Sequence, residues 1–132
     1  MDPMILKLQQ VEIELSNQHG DFRLFALLSR EDIPGKWDLV ASAPWGDKDG
    51  SASLRLLIDY LKGILDREEI RNIPRVIWFD PDDPGLGKMR EMFSRLSSGI
   101  RVTGHSIAMI GNSVINGVAV DQAVLFACDD AI

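Results

Sequence analysis

A strand–helix–strand succession in the middle of the chain constrains the fold more than any other feature of the sequence. The helix, with Ser51 suited to its N-cap, carries apolar side chains at the spacing of one helical face: Leu54, Leu57, Ile58, Leu61, Ile64 and Leu65. Residues 38–43 before it and residues 76–79 after it are typical of buried strands. Since a connection of this kind is right-handed and makes its two strands parallel, we expect an α/β fold.

The segments before this unit predict a further helix and a further strand. Helical spacing from Pro3 to about Asn17 indicates a first helix, and the apolar and aromatic residues 22–28 indicate a strand. Pro34 and Gly35 fit the central pair of a type II turn. The strand of residues 22–28 and the strand of residues 38–43 are therefore expected to form an antiparallel hairpin.

The last third of the chain predicts a helix followed by two strands. The helix is expected to begin with Asp83 as N-cap and Pro84 at its first position. Between the two strands, Asn116-Gly117 is the strongest short signal of a β-hairpin. The predicted order is α-β-β-α-β-α-β-β, a single domain of residues 1–132 with a mixed five-stranded sheet and three helices. Strands two, three and four are predicted to be parallel, with strands one and five antiparallel to them.

Charge and composition exclude several classes of protein. Fourteen Lys and Arg residues stand against twenty Asp and Glu residues, for a net charge of −6. Phosphate affinity comes chiefly from clustered Lys and Arg, so we expect neither a dedicated nucleic-acid binder nor a protein held on anionic lipid. An apolar run of roughly 18 residues and the features of a signal peptide are both absent from the sequence, which predicts a cytoplasmic protein. With Cys128 as its one cysteine, the chain forms no intrachain disulfide and no multi-cysteine zinc site.

Candidate ligand-binding residues follow the predicted strands. In open α/β sheets, ligands bind outside the carboxyl ends of the parallel strands. Ser42, Trp45 and Asp47 follow the second strand, and the region after the fourth strand offers Asn112 and Asn116. Trp45 supplies an aromatic face on which a ligand could stack; the alternative is that Trp45 closes one end of the core.

An acidic cluster follows the third strand and is the candidate metal site. Asp80 and Asp82 could hold Mg²⁺ through their carboxylates, with Asp47 or Asp21 supplying a ligand from another segment. The alternative is structural, because Asp80 can solvate the strand end while Asp83 caps the next helix.

Three hypotheses of function follow from these patterns. The sequence contains no P-loop, no G-x-G-x-x-G after a strand and no H-E-x-x-H motif. The favoured hypothesis is a non-enzymatic domain, without cofactor, that binds a protein partner or forms a homodimer, because apolar hairpin strands at sheet edges are natural pairing surfaces. The alternatives are a small-ligand sensor at the carboxyl edge of the sheet and a Mg²⁺-dependent hydrolase or nuclease that uses Asp80 and Asp82.

Several segments resemble a pattern found in small prokaryotic proteins of unknown function: residues 24–27, 30–34, 37–40 and 42–45. Residues 80–84 and 116–117 fit the same pattern. The resemblance covers about residues 22–128 and implies a single prokaryotic domain. It implies no activity and assigns no catalytic residue.

Overall fold

The computed structural model describes residues 3–30, 32, 35–46, 51–80, 82–96, 108–115 and 118–128. Within these residues the chain forms four helices and five strands, in the order α1 (Pro3–His19), β1 (Leu24–Arg30), β2 (Trp37–Ser42), α2 (Ser51–Ile64), α3 (Arg67–Arg71), β3 (Arg75–Trp78), α4 (Pro84–Leu96), β4 (Ala108–Ile115) and β5 (Val118–Cys128). The predicted α/β class is confirmed. The predicted number of three helices is wrong, because the short α3 follows α2. The predicted helix end near Gly99, Pro34 and the Asn116-Gly117 pair lie outside the described residues.

The five strands form one sheet in the order β3-β2-β1-β5-β4. β1 lies at its centre and is antiparallel to both of its neighbours, β2 and β5. The predicted β1–β2 hairpin is therefore confirmed, and Gly35 has the positive φ of 77° that the predicted turn requires. β3 pairs with β2 in parallel, and β4 pairs with β5 in antiparallel orientation.

The directions of β4 and β5 differ from the prediction. β5 runs in the same direction as β2 and β3, whereas β4 runs the opposite way. The prediction assumed that the chain returns beside β3 after α4, as in a crossover connection. Instead, β4 lies at the far edge of the sheet and pairs with β5. This arrangement leaves β3 at the other edge.

Helices cover both faces of the sheet. Successive strand residues point to opposite faces, so each strand contributes to two separate cores. On the α1 face, α1 and α2 pack against alternate strand residues that include Phe25, Leu39, Ala41, Val124 and Phe126. On the α4 face, Leu86, Met89 and Phe93 pack against the intervening residues, which include Ala26, Val40 and Leu125.

The amphipathic face of α2 is only partly covered. Leu57, Leu61 and the following Leu65 are buried, but Leu54 and Ile58 are half-exposed. α2 packs on α1 and on β3, the edge strand. No further described strand lies beyond β3 to cover the outer side of the helix.

α3 and the residues after it connect α2 to β3 and are fixed from several directions. Asp66 and Glu69 form a capping box, in which the Asp66 carboxylate accepts the Glu69 N–H at 2.8 Å and the Glu69 carboxylate accepts the Asp66 N–H at 3.0 Å. The Lys7 ammonium of α1 donates to the same Glu69 oxygen at 2.6 Å. The Trp37 N–H at the start of β2 donates to the Asn72 carbonyl at 2.7 Å. These contacts hold the connection against both α1 and the sheet.

Candidate functional site

The outer edge of β3 carries backbone groups that face away from the sheet. Among the described strands β3 has a single neighbour, β2, and the two are in parallel register with Val40 opposite Ile77. The Phe79 N–H donates to the Ala41 carbonyl at 2.9 Å. Alternate residues of a strand point their backbone groups to opposite sides, so the N–H and C=O of Ile77 face β2. Those of Val76 and Trp78 therefore face outward.

An apolar groove of about 480 Å³ adjoins this edge. Its apolar lining comes from α2 and the residue after it, from α3, from the segment that leads into β3 and from β3 itself. It includes Ile58, Leu61, Leu65, Ile70, Ile73 and Val76. The volume lies within the range of about 300 to 1,000 Å³ that is typical of ligand sites in proteins. A strand edge and an apolar groove thus form one continuous surface. On one side lie peptide groups that pair with no described strand, and on the other lie buried and partly buried hydrophobic side chains.

The two charged side chains that line the groove are both basic. Lys62 is exposed in the last turn of α2, and among the described residues its ammonium group has no hydrogen-bond or ion-pair partner. The Arg75 guanidinium is paired with the buried Asp38 carboxylate, with donor–acceptor distances of 3.1 and 2.6 Å. The hydrogen bond from Arg75 to Asp38 raises the pKa of Arg75 above its ordinary value.

At the carboxyl end of β2, the predicted ligand-binding residues serve other contacts. Ser42 is fully buried, and its hydroxyl donates to the Phe79 carbonyl at 2.8 Å, so this side chain joins two strands instead of facing a ligand. The Trp45 indole N–H donates to the Gly20 carbonyl at 2.8 Å. The ring of Trp45 packs on the rings of His19, Phe22 and Trp78, with centroid distances of 5.0, 5.4 and 5.4 Å. Trp45 thereby connects the end of β2 to the end of α1.

The candidate ligand residue Asn112 is not brought to this end of the sheet. Asn112 lies within β4 instead of after it, and β4 runs in the direction opposite to β2 and β3. Because β4 runs the opposite way, its carboxyl end lies at the other end of the strands from the carboxyl ends of β2 and β3. Asp47 and Asn116 lie outside the described residues.

The acidic cluster after β3 forms a turn and a helix cap. The Asp80 carboxylate accepts the Asp82 N–H at 2.9 Å, and the Asp83 carboxylate accepts the Gly85 N–H at 2.7 Å, as an N-cap of α4 does. Asp82 and Asp83 are exposed, and so is Asp21. Among the described residues, no group of three or more His, Cys, Asp or Glu side chains is arranged to hold a metal ion.

The groove was not anticipated from the sequence, although one signal points to it. Pro74 directly precedes β3, and proline is confined to edge strands and strand starts because it cannot donate to a neighbouring strand. The prediction placed the hairpin strands at the sheet edges, but both strands of the first hairpin, β1 and β2, are interior.

Comparisons with known proteins add no relative: no protein-family model, curated protein or solved structure matches the chain. Within the described part of the chain, every helix is too short or too polar to cross a lipid bilayer. Function is therefore inferred from the geometry of the groove and of the β3 edge.

Proposed function

We propose that the protein is a protein-interaction domain that binds an extended segment of a partner protein as an added strand on β3. The observation that carries this proposal is the continuity of the open β3 edge with the apolar groove under α2. In strand addition, backbone hydrogen bonds supply affinity and pockets for alternate side chains supply specificity. The β3 edge and the groove offer one of each.

The register of β3 defines how a partner strand would sit. The outward N–H and C=O groups of Val76 and Trp78 would bond to its backbone. Val76 packs on the α1 face of the sheet, beside the groove residues of α2. Alternate side chains of the bound segment would enter the groove next to Val76, so a segment with apolar residues at every second position fits best.

A titration with synthetic peptides tests this proposal. Isotope-labelled protein is titrated with capped octapeptides in which Val, Ile or Leu alternates with Thr, and amide shifts and amide hydrogen exchange are followed by NMR. We expect shifts at Val76, Trp78 and Ile58, and slower exchange at the Val76 and Trp78 amides only. If none of the peptides binds, or if the shifts fall elsewhere, the proposal is wrong.

Substitution of Val76 separates backbone pairing from side-chain packing. Val76→Pro removes an outward N–H that β2 does not use, and proline is tolerated at such edge positions. We expect it to abolish peptide binding, whereas the matched variant Val76→Ala retains the N–H and most of the affinity. Equal affinities of the two variants would contradict strand addition.

Two further measurements exclude the competing occupants of the groove. Ile58→Glu places a charge in the groove and is expected to weaken peptide binding, while Leu6→Glu, at an apolar residue of α1 that is 49% exposed, leaves it unchanged. Sedimentation of the free protein tests the second copy as an occupant. If the free protein sediments as a dimer that peptide does not dissociate but that Val76→Pro disrupts, the occupant of the groove is a second copy of this chain and not a partner protein.

A further inference from the structure

The charges beside the groove oppose the charge of the whole chain. The net charge is −6, yet both charged side chains that line the groove, Lys62 and Arg75, are basic. Resting on the function proposed above, we infer that the partner segment is acidic. It carries a Glu or Asp side chain at its C-terminal end, and it lies antiparallel to β3.

Both basic residues lie at the same end of the groove. β2 and β3 are parallel, so the connection that contains α2 and α3 runs back from the end of β2 to the start of β3. Lys62 occupies the last turn of α2, and Arg75 is the first residue of β3. The two basic residues of the lining therefore lie where β3 begins, while the groove further along is apolar.

Lys62 is the residue that recognises the acidic side chain. The Arg75 guanidinium is engaged by the Asp38 carboxylate through two hydrogen bonds. Lys62 is exposed, and its ammonium group has no partner among the described residues. A carboxylate that arrives at this end of the groove thus meets one cation that is available and a second whose charge is largely compensated.

The orientation of the bound segment decides which of its ends carries the acidic side chain. In an antiparallel pair, the C-terminal end of the added strand lies beside the N-terminal end of β3. Antiparallel pairing is also somewhat more stable per residue than parallel pairing. The acidic side chain therefore follows the apolar residues of the segment.

Calorimetric titration of matched peptides tests the inference. The tightest octapeptide of the alternating set is made in amidated form with Glu at the C-terminal end, Gln at that position, or Glu at the N-terminal end instead. We expect the C-terminal Glu peptide to bind about threefold more tightly than the Gln peptide at low salt, as for an exposed ion pair. The N-terminal Glu peptide should show no gain.

Charge variants of the protein complete the experiment. Lys62→Gln should remove the advantage of the C-terminal Glu peptide and leave the affinity for the Gln peptide unchanged. Lys88→Gln, at an exposed lysine of α4, is the matched control and should preserve the advantage. Equal binding of the Glu and Gln peptides, or a preference for N-terminal Glu, overturns the inference while the proposed function stands. If no peptide binds, both fail together.

Discussion

Asp38 and Arg75 lie directly opposite each other in the parallel register of β2 and β3, and their side chains form a two-point ion pair. Asp38 is 7% exposed, whereas the Arg75 side chain is largely exposed. The pair links the first residue of β3, the edge strand, to β2 in the interior of the sheet. It also keeps one of the two basic groups beside the groove in a fixed position.

Disruption of this pair is expected to loosen the β3 edge. Arg75→Leu leaves the Asp38 carboxylate buried without its main partner, and Asp38→Asn removes the charge that holds the guanidinium. We expect each variant to lower the urea midpoint of unfolding, and the double variant to lower it by less than the sum of the two. Strictly additive losses would show that the pair contributes nothing.

The pH dependence of the Asp38–Arg75 pair follows from the direction of the pKa shift. The pKa of Arg75 is raised in the folded protein by its hydrogen bond to Asp38. Its contribution to stability is therefore complete below the pKa of the unfolded chain and is lost only as the pH rises through the still higher folded pKa. The difference in midpoint between wild type and Arg75→Leu should be the same at about pH 7 and about pH 9.

Two substitutions of Glu69 distinguish its two roles. Glu69→Ala removes the ion pair with Lys7 and the half of the capping box in which the Glu69 carboxylate accepts the Asp66 N–H, while Asp66 can still accept the backbone N–H of residue 69. The loss of that one hydrogen bond costs about 1 kcal/mol. Glu69→Gln retains an oxygen that can accept the Asp66 N–H, so only the ion pair is weakened. The urea midpoint of unfolding should be lowest for Glu69→Ala, intermediate for Glu69→Gln and highest for the wild type. The reverse order would contradict the capping role.

Substitution of glycine by alanine should have opposite effects on stability at Gly46, in the loop after β2, and at Gly63, in α2. A Cβ at Gly46 would lie 2.7 Å from Cζ2 of the Trp78 ring, so Gly46→Ala should destabilise the protein by about 1 to 3 kcal/mol. At Gly63 of α2, no described atom beyond the helix's own backbone and the adjacent residues lies within 4 Å of the added Cβ. Gly63→Ala should therefore stabilise the helix by about 0.5 to 1 kcal/mol. Thermal unfolding of the two variants checks both signs.

The cap of α4 gives a further prediction. Asp83 accepts the Gly85 N–H at 2.7 Å, so Asp83→Ala should lower the free energy of unfolding by about 1 kcal/mol. Asp83→Asn keeps an accepting oxygen and should restore most of the loss. If urea unfolding shows that Asp83→Asn is as unstable as Asp83→Ala, Asp83 stabilises the helix through its charge and not through the capping hydrogen bond.

Local signals in the sequence predicted the individual elements well. The spacing after Ser51 marked α2, and Asp83-Pro84 marked the start of α4, because these patterns depend on neighbours a few residues apart. α3 was missed despite a readable signature, since Asp66 and Glu69 have the N-cap and N3 spacing of a capping box. A helix of five residues has too short an apolar pattern to stand out.

The site depends on strand order, which the sequence leaves open. β4 could have returned beside β3, and local patterns do not distinguish that arrangement from the observed place beyond β5. Of these two orders, only the observed one leaves Val76 at an edge of the described sheet, with no described strand beyond β3 on the side of Ile58. The predicted carboxyl-edge residue Ser42 is instead used to join β2 to the segment after β3. A site predicted from topology is correct only where the predicted strand order is correct.

The central position of β1 has a consequence for how the chain folds during synthesis. Leu24 pairs with Ser42 on one side, which is made soon after it, and with Cys128 on the other, which is made almost a full chain length later. Until β5 emerges, the nascent hairpin exposes one edge of a strand whose residues 24–27 are fully buried in the finished protein. Such non-local pairing slows folding and leaves an aggregation-prone edge. A strand whose first four residues are fully buried in the mature fold thus waits almost a full chain length of synthesis for its second neighbour.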